Sequence, residues 1–130
     1  MTSIIRVLIV TEHISVCAQL RTIFQLADGI AVVAEAADLK NAVDQAQALR
    51  PDLALVDLEM PARQGFEIIS QLKAQGLVKA AAALTAHDYS AARESAARCG
   101  ADAFIIKGAD LAQMLLTIRT VMEKFDQEFK

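Results

Sequence analysis

The chain alternates between two hydrophobic rhythms along its length. Short apolar, β-branched runs read as strands over residues 4–10, 30–35, 53–57, 79–85 and 103–107. Between them, apolar residues recur at spacings of three and four, the period of a helix lying on a surface. The second such segment is the clearest, with Leu39, Ala42, Val43, Ala46 and Leu49 on one stripe. Asp38 stands where an N-cap accepts orphan backbone N–H bonds, and Pro51 follows the stripe and ends it. Gly29, Gly76 and Gly100 each precede a strand, where a helix closes on a left-handed residue.

Strands alternating with helices predict one parallel sheet covered on both faces. Leu8-Ile9-Val10 and residues 53–56 are apolar without alternation, the mark of strands buried on both sides. The fourth strand is the weak member, because Ala80-Ala81-Ala82-Ala83 has poor β-propensity and suits a helix as well. It reads as a strand because Gly76 closes the preceding helix and residues 85–88 resemble a loop and cap. The last helix is read at about 110–128, and from Asp110 to the end Leu111, Leu115, Ile118, Met122, Phe125 and Phe129 form one stripe. It is longer than a five-stranded sheet needs. Its final turn either folds Phe125 and Phe129 back on the domain or presents them to a second chain.

At 130 residues the chain reads as a single domain, 1–130, with no output domain within it. Apolar residues make up 55% and charged residues 22%, which excludes a disordered, charge-driven linker. Alanine occurs 25 times against 5% aromatics, so packing relies on close backbone approach. The net charge of −3, with no Lys/Arg cluster, argues against nucleic acid as a partner. No apolar run approaches the ~18 residues of a membrane helix. Residues 4–10 lack the basic flank and cleavage pattern of a signal peptide, so no membrane association and a cytoplasmic location are expected. Cys17 and Cys99 lie in alanine-rich helical stretches and read as buried reduced thiols, not as a disulfide or metal site.

In an open parallel sheet, ligands bind beyond the carboxyl ends of the strands, at the switch in strand order. The polar residues there are Thr11-Glu12, Asp57 followed by Leu58-Glu59-Met60-Pro61, Thr85-Ala86-His87, and Lys107-Gly108. With the order 2-1-3-4-5 the strands that carry them are neighbours, and carboxylates, a hydroxyl and an ammonium converge on one crevice. Two unit charges ~4 Å apart interact by about 4 kcal/mol at an effective dielectric of about 20, so Glu12, Asp57 and Glu59 need a counter-charge. Hard oxygen ligands suit Mg²⁺, and Lys107 supplies a second cation. A carboxylate between a metal and an ammonium suits phosphoryl transfer, whose moving group spreads negative charge over its oxygens. Asp57 is then the candidate nucleophile, forming an acyl phosphate.

At these residues the sequence resembles the receiver domain of two-component response regulators, in the form that precedes LuxR-type DNA-binding domains. The matching stretches are Val7-Leu8-Ile9-Val10 before an acidic position, Glu35-Ala36, Asp57-Leu58-Glu59-Met60-Pro61 with Gly65, Leu84-Thr85-Ala86, and Gly100-Ala101-Asp102-Ala103-Phe104-Ile105-Ile106-Lys107. The resemblance covers about residues 4 to 120. It implies a flavodoxin-like, doubly wound α/β fold with five parallel strands in the order 2-1-3-4-5 and five helices. It also implies that Asp57 is a phosphoacceptor served by a histidine kinase or phosphotransfer protein, with Mg²⁺ as cofactor. Glu12 matches the acid that touches the ion, Asp57 matches a metal ligand as well, and Glu59 matches the residue whose backbone carbonyl completes the protein's share. Thr11 stands where a second acid holds the ion through water. Thr85 matches the hydroxyl that moves to the phosphoryl oxygen, Phe104 the aromatic whose rotamer follows it, and Lys107 the lysine that pairs with the phosphoryl group. Output is implied through helix 4, strand 5 and helix 5, about residues 88–125, with homodimer pairing there or through the extended last helix. Such a chain catalyses only its own phosphorylation and dephosphorylation.

Three departures from the family pattern matter. Thr11 replaces an acid and Glu12 an aspartate, so weakened Mg²⁺ binding is expected, and Gly108 replaces a frequent proline, removing the usual cause of a cis peptide. Taken singly, the residues have plainer readings: Asp57 as a cap or ion-pair partner, Thr85 as a strand residue, Lys107 as a solvated strand end, Phe104 as core. The Glu59 side chain is expected in solvent, where its charge would repel phosphate and alter the lifetime of an acyl phosphate. His13 and His87 read as loop residues, with His87 near enough to tune water access. Two other functions compete. One is a degenerate receiver that binds partners without phosphorylation. The other is a small phosphatase of the haloacid-dehalogenase kind, suggested by Asp57-Leu58-Glu59 but lacking a cap segment.

Overall fold

The computed structural model describes residues 4–128, with side chains as far as Phe125. The five apolar runs become β1 (Ile5–Val10), β2 (Ile30–Ala36), β3 (Leu53–Asp57), β4 (Ala80–Thr85) and β5 (Ala103–Ile106). They pair in parallel in the order β2-β1-β3-β4-β5, the order expected. Five helices connect and cover them: α1 (Ile14–Gln25), α2 (Leu39–Leu49), α3 (Gln64–Ala74), α4 (Ser90–Cys99) and α5 (Leu111–Glu128). None of the described helices is long and apolar enough to cross a membrane.

The central strands lack alternation because each face of the sheet has its own core. Leu8, Val10, Ala54, Val56, Ala81 and Ala83 pack against Ala42 and Ala46 of α2, Ile68 and Leu72 of α3, and Ala96 of α4. Val7, Ile9, Leu53, Leu55, Ala82 and Leu84 pack on the other side, against Leu20 and Phe24 of α1 and Met114 and Ile118 of α5. All six residues of β4 are buried, which accounts for its alanines. A strand between two neighbours, with helices on both faces, has little room for side chains, and this packing overrides intrinsic propensity.

Local signals account for most of the boundaries. The Asp38 carboxylate accepts the Asn41 backbone N–H at 2.8 Å and starts α2. Asp38→Ala should therefore cost about 1 kcal/mol, read as a lower urea midpoint at an unchanged slope. At the other end α2 stops on Arg50, itself left-handed at φ 46, just before Pro51. Gly29, Gly76 and Gly100 have φ of 84, 65 and 109. Asp88 does not cap α4: the N-cap is Tyr89, without a side-chain bond, and Asp88 pairs with Arg93 at 2.5 Å. The two thiols are half-buried, not buried, and lie on opposite faces of the sheet, which precludes a disulfide between them. Phe125 folds back on the domain, with the Lys73 ammonium 4.9 Å from its ring centre. Phe129, the other candidate for docking, lies outside the described residues.

Candidate functional site

The carboxyl ends of β1, β3, β4 and β5 meet along one rim. The register sets Asp57 beside Leu84 and Thr85 beside Ile106. Two backbone bonds extend the ladder past the strand ends: Leu58 N–H to Leu84 O at 2.8 Å, and Lys107 N–H to Thr85 O at 2.7 Å. Lys107 thereby leaves β5 alongside the site. No cis peptide occurs among the described residues, and Gly108 takes φ 87.

Asp57 is fully buried, with 0% of its surface exposed. Its Oδ1 accepts the Lys107 ammonium and the Glu59 backbone N–H, each at 2.9 Å. Its Oδ2 accepts the Thr11 hydroxyl at 2.7 Å. Among the described residues no buried side-chain polar atom lacks a partner. Thr11 touches Asp57 directly. The Thr11 oxygen in turn accepts the His13 backbone N–H at 3.1 Å, so its proton is free for Asp57. Thr85 repeats the device on β4: it accepts the His87 N–H at 3.1 Å and turns its own proton outward.

That proton goes to Glu59. The expectation of a solvated Glu59 side chain is corrected: the carboxylate turns inward and is 29% exposed. Its Oε1 accepts the Thr85 hydroxyl at 3.0 Å and the Ala86 backbone N–H at 2.7 Å, and its Oε2 accepts the Lys107 ammonium. A half-buried carboxylate gains more from three donors, one of them charged, than it loses on leaving water. Burial pushes the Glu59 carboxyl up, but Lys107, Ala86 and Thr85 outweigh it and hold it below the usual carboxylate range. Burial likewise pushes Lys107 down, and its bonds to Glu59 and Asp57 more than reverse this. Both groups stay charged.

The expected metal donors are not gathered. Glu12 is exposed and lines a hollow with Cys17, Arg21 and Glu35. The Glu59 carbonyl accepts the His13 ring Nε2–H at 3.1 Å. No group of three His, Cys, Asp or Glu able to hold a metal occurs among the described residues. The oxygen chemistry suits Mg²⁺, but this arrangement does not fit it: the Glu59 carbonyl is capped by a ring, Glu12 is exposed, and Thr11 brings a hydroxyl in place of an acid. His87 stacks on Tyr89 with ring centres 5.7 Å apart, and its Nε2 lies 4.0 Å from Glu59 Oε1. Phe104 is half-buried against the α2–α3–α4 core, with the Arg93 guanidinium 4.5 Å over its ring.

Two contributors had no clear sequence signal. The Ala86 N–H is a main-chain donor that any residue supplies, and the His13 ring reaches Glu59 across 46 positions. Gly65 was visible within a motif, but its reason is spatial: a Cβ there would stand 2.4 Å from the Asp57 carbonyl oxygen.

A doubly wound sheet with a buried Asp–Lys pair and a threonine at its switch point defines a receiver. The chain belongs to the response regulator receiver domain family, whose model matches residues 7–119, and so to two-component signalling. It is 32% identical over 114 residues to the nitrate/nitrite response regulator protein NarP of Escherichia coli K12, covering 88% of this chain and 53% of that one. Among solved structures, a LuxR-family response regulator from Aurantimonas sp. SI85-9A1 superposes with a TM-score of 0.84 at 28% identity, covering 94% of this chain and 87% of that one. The chemotaxis protein CheY4 of Vibrio cholerae gives 0.79 at 25% identity, covering 92% and 99%. The chain spans about half the length of the curated relatives it matches. Receivers are not a classical enzyme family, and they generally bind Mg²⁺.

Proposed function

We propose that Asp57 is a phosphoacceptor, and that the chain switches when a phosphoryl group there engages Lys107 and Thr85. The observation that carries this reading is the Lys107 ammonium 2.9 Å from the buried Asp57 Oδ1, with the Thr85 hydroxyl and Ala86 N–H directed at the anion beside it. In the transfer, the P–N bond of a partner's phosphohistidine breaks as a P–O bond to Asp57 forms. The freed imidazole keeps the bonding electron pair and takes up a proton. The new group carries about −1.5 to −2 charge at neutral pH, which the adjacent ammonium offsets. Inverting a 1:99 equilibrium takes about 5.5 kcal/mol, which is the margin by which the new bonds must exceed those Thr85 and Lys107 already make to Glu59.

The partner in this reading is a histidine kinase or phosphotransfer protein. Output runs through α4, β5 and α5, where Tyr89 and Leu116 are large apolar side chains left exposed. Homodimer pairing uses the same face or the extended end of the last helix, where Phe125 itself packs on its own domain. The whole setting is cytoplasmic. Mg²⁺ is the part of this reading that the residues as arranged do not fit, since the His13 ring occupies the Glu59 carbonyl.

The test is acetyl phosphate, with and without Mg²⁺, followed by intact mass. Wild type should gain one phosphoryl group and Asp57→Asn none. An unmodified wild type under both conditions overturns the reading. It would favour the second one, a phosphorylation-independent binding module, which draws support from the ungathered metal donors and the inward carboxylate of Glu59.

A further inference from the structure

Three donors of different chemistry meet on the Glu59 carboxylate: a hydroxyl, a main-chain N–H and an ammonium. Such a set binds a tetrahedral oxyanion as readily as a carboxylate. The donors are not interchangeable with others nearby. The Thr85 oxygen is already occupied by the His87 N–H, so its one proton goes to Glu59. The Ala86 N–H also has a single proton, and its 2.7 Å bond to Oε1 uses it. Lys107 alone spans both anions, reaching Asp57 as well as Glu59. The Glu59 main chain is tied to the same place, since its N–H donates to Asp57 Oδ1 at 2.9 Å. One residue thus touches the candidate phosphoacceptor with its backbone and holds the neighbouring donors with its side chain.

We infer that the Glu59 carboxylate is the resident occupant of the anion site formed by Thr85, Ala86 and Lys107, and that a phosphoryl group on Asp57 takes up these donors only by displacing it. The inference rests on the reading of Asp57 as phosphoacceptor and names the group that competes with the product. The competition is stoichiometric, because neither Thr85 nor Ala86 has a second proton to offer. It also places the unphosphorylated chain with its rim already drawn together around an anion. The carboxylate swings out through its own exposed edge when evicted, and no other bond has to break on its side.

The test uses the full chain and a graded series. Glu59→Ala removes the competitor, while Glu59→Gln keeps its shape and two acceptor contacts but loses the attraction to the ammonium. Labelling by acetyl phosphate, followed by intact mass over time, should run about tenfold faster in Glu59→Ala than in wild type, with Glu59→Gln between them. A second readout needs no phosphorylation. The Ala86 amide proton should resonate downfield in wild type and move upfield in Glu59→Ala. Should the alanine variant fold poorly, Glu59→Ser, whose side chain also lacks the carboxylate, carries both measurements, and the glutamine variant carries the labelling rate alone. Equal labelling rates across the series, or an Ala86 amide that stays in place, overturn the inference while leaving Asp57 as phosphoacceptor. Absence of labelling in wild type and variants alike overturns the Asp57 reading, and the competition with it.

Discussion

Replacing Lys107 with methionine should cost the fold about 3–5 kcal/mol, the range for stripping one partner from a buried ion pair. Methionine keeps most of the stem and removes the charge. What remains is Asp57 at 0% exposure, held by the Thr11 hydroxyl and the Glu59 N–H but without a counter-ion. The Glu59 carboxylate then faces Asp57 with no cation between them. Lys107 is itself 20% exposed, so water reaches part of the gap and the loss should fall near the lower figure. The double variant Asp57→Asn, Lys107→Met should recover a good part of it, because the charge left stranded is gone. Urea unfolding of the four-member cycle at neutral pH measures both. A single-variant loss under about 1 kcal/mol would place Lys107 with ordinary surface pairs and refute the account of the site as a buried charge cluster.

Gly65→Ala should be the most damaging change of a single methyl group. The added Cβ would sit 2.4 Å from the Asp57 carbonyl oxygen and 3.1 Å from the Leu58 Cα. Both are main-chain atoms at the exit of β3, so no rotamer change relieves the clash. The start of α3 and the end of β3 must separate. Overpacking of this kind costs about 1–3 kcal/mol, read as a fall of several degrees in the melting temperature. The displacement falls on the segment that aims Asp57 at Lys107. Labelling by acetyl phosphate should therefore drop even at temperatures where the variant is folded. A variant that melts like wild type would show that α3 and β3 part without cost.

The sheet and its helices were legible because burial on two faces writes itself into the sequence as unbroken apolar runs. Residues 53–56 and 8–10 carry that signature plainly. β4 carries it poorly: alanine says little about conformation by itself, and only Gly76 and the alternation of neighbouring elements placed it. The convergence of Asp57, Thr85 and Lys107 on one rim followed from strand order, a property of the whole chain. What escaped was everything decided within a few ångströms. The inward turn of Glu59 depends on three donors that come together only when β3, β4 and β5 are in register. The His13 ring over the Glu59 carbonyl depends on how two loops lie across each other. Hydrophobic patterning carries no information at that scale.

The two strand-end threonines have a consequence for how news of a bound anion leaves the rim. Each hydroxyl links a negative charge on one side to the opening amide of a loop on the other: Asp57 through Thr11 to the β1–α1 loop, Glu59 through Thr85 to the β4–α4 loop. A change of charge at either carboxylate alters how tightly that single proton is pulled, and the loop amide feels it through the same oxygen. The crevice therefore addresses two surfaces at once, one leading into α1 and one into α4, through relays of identical construction.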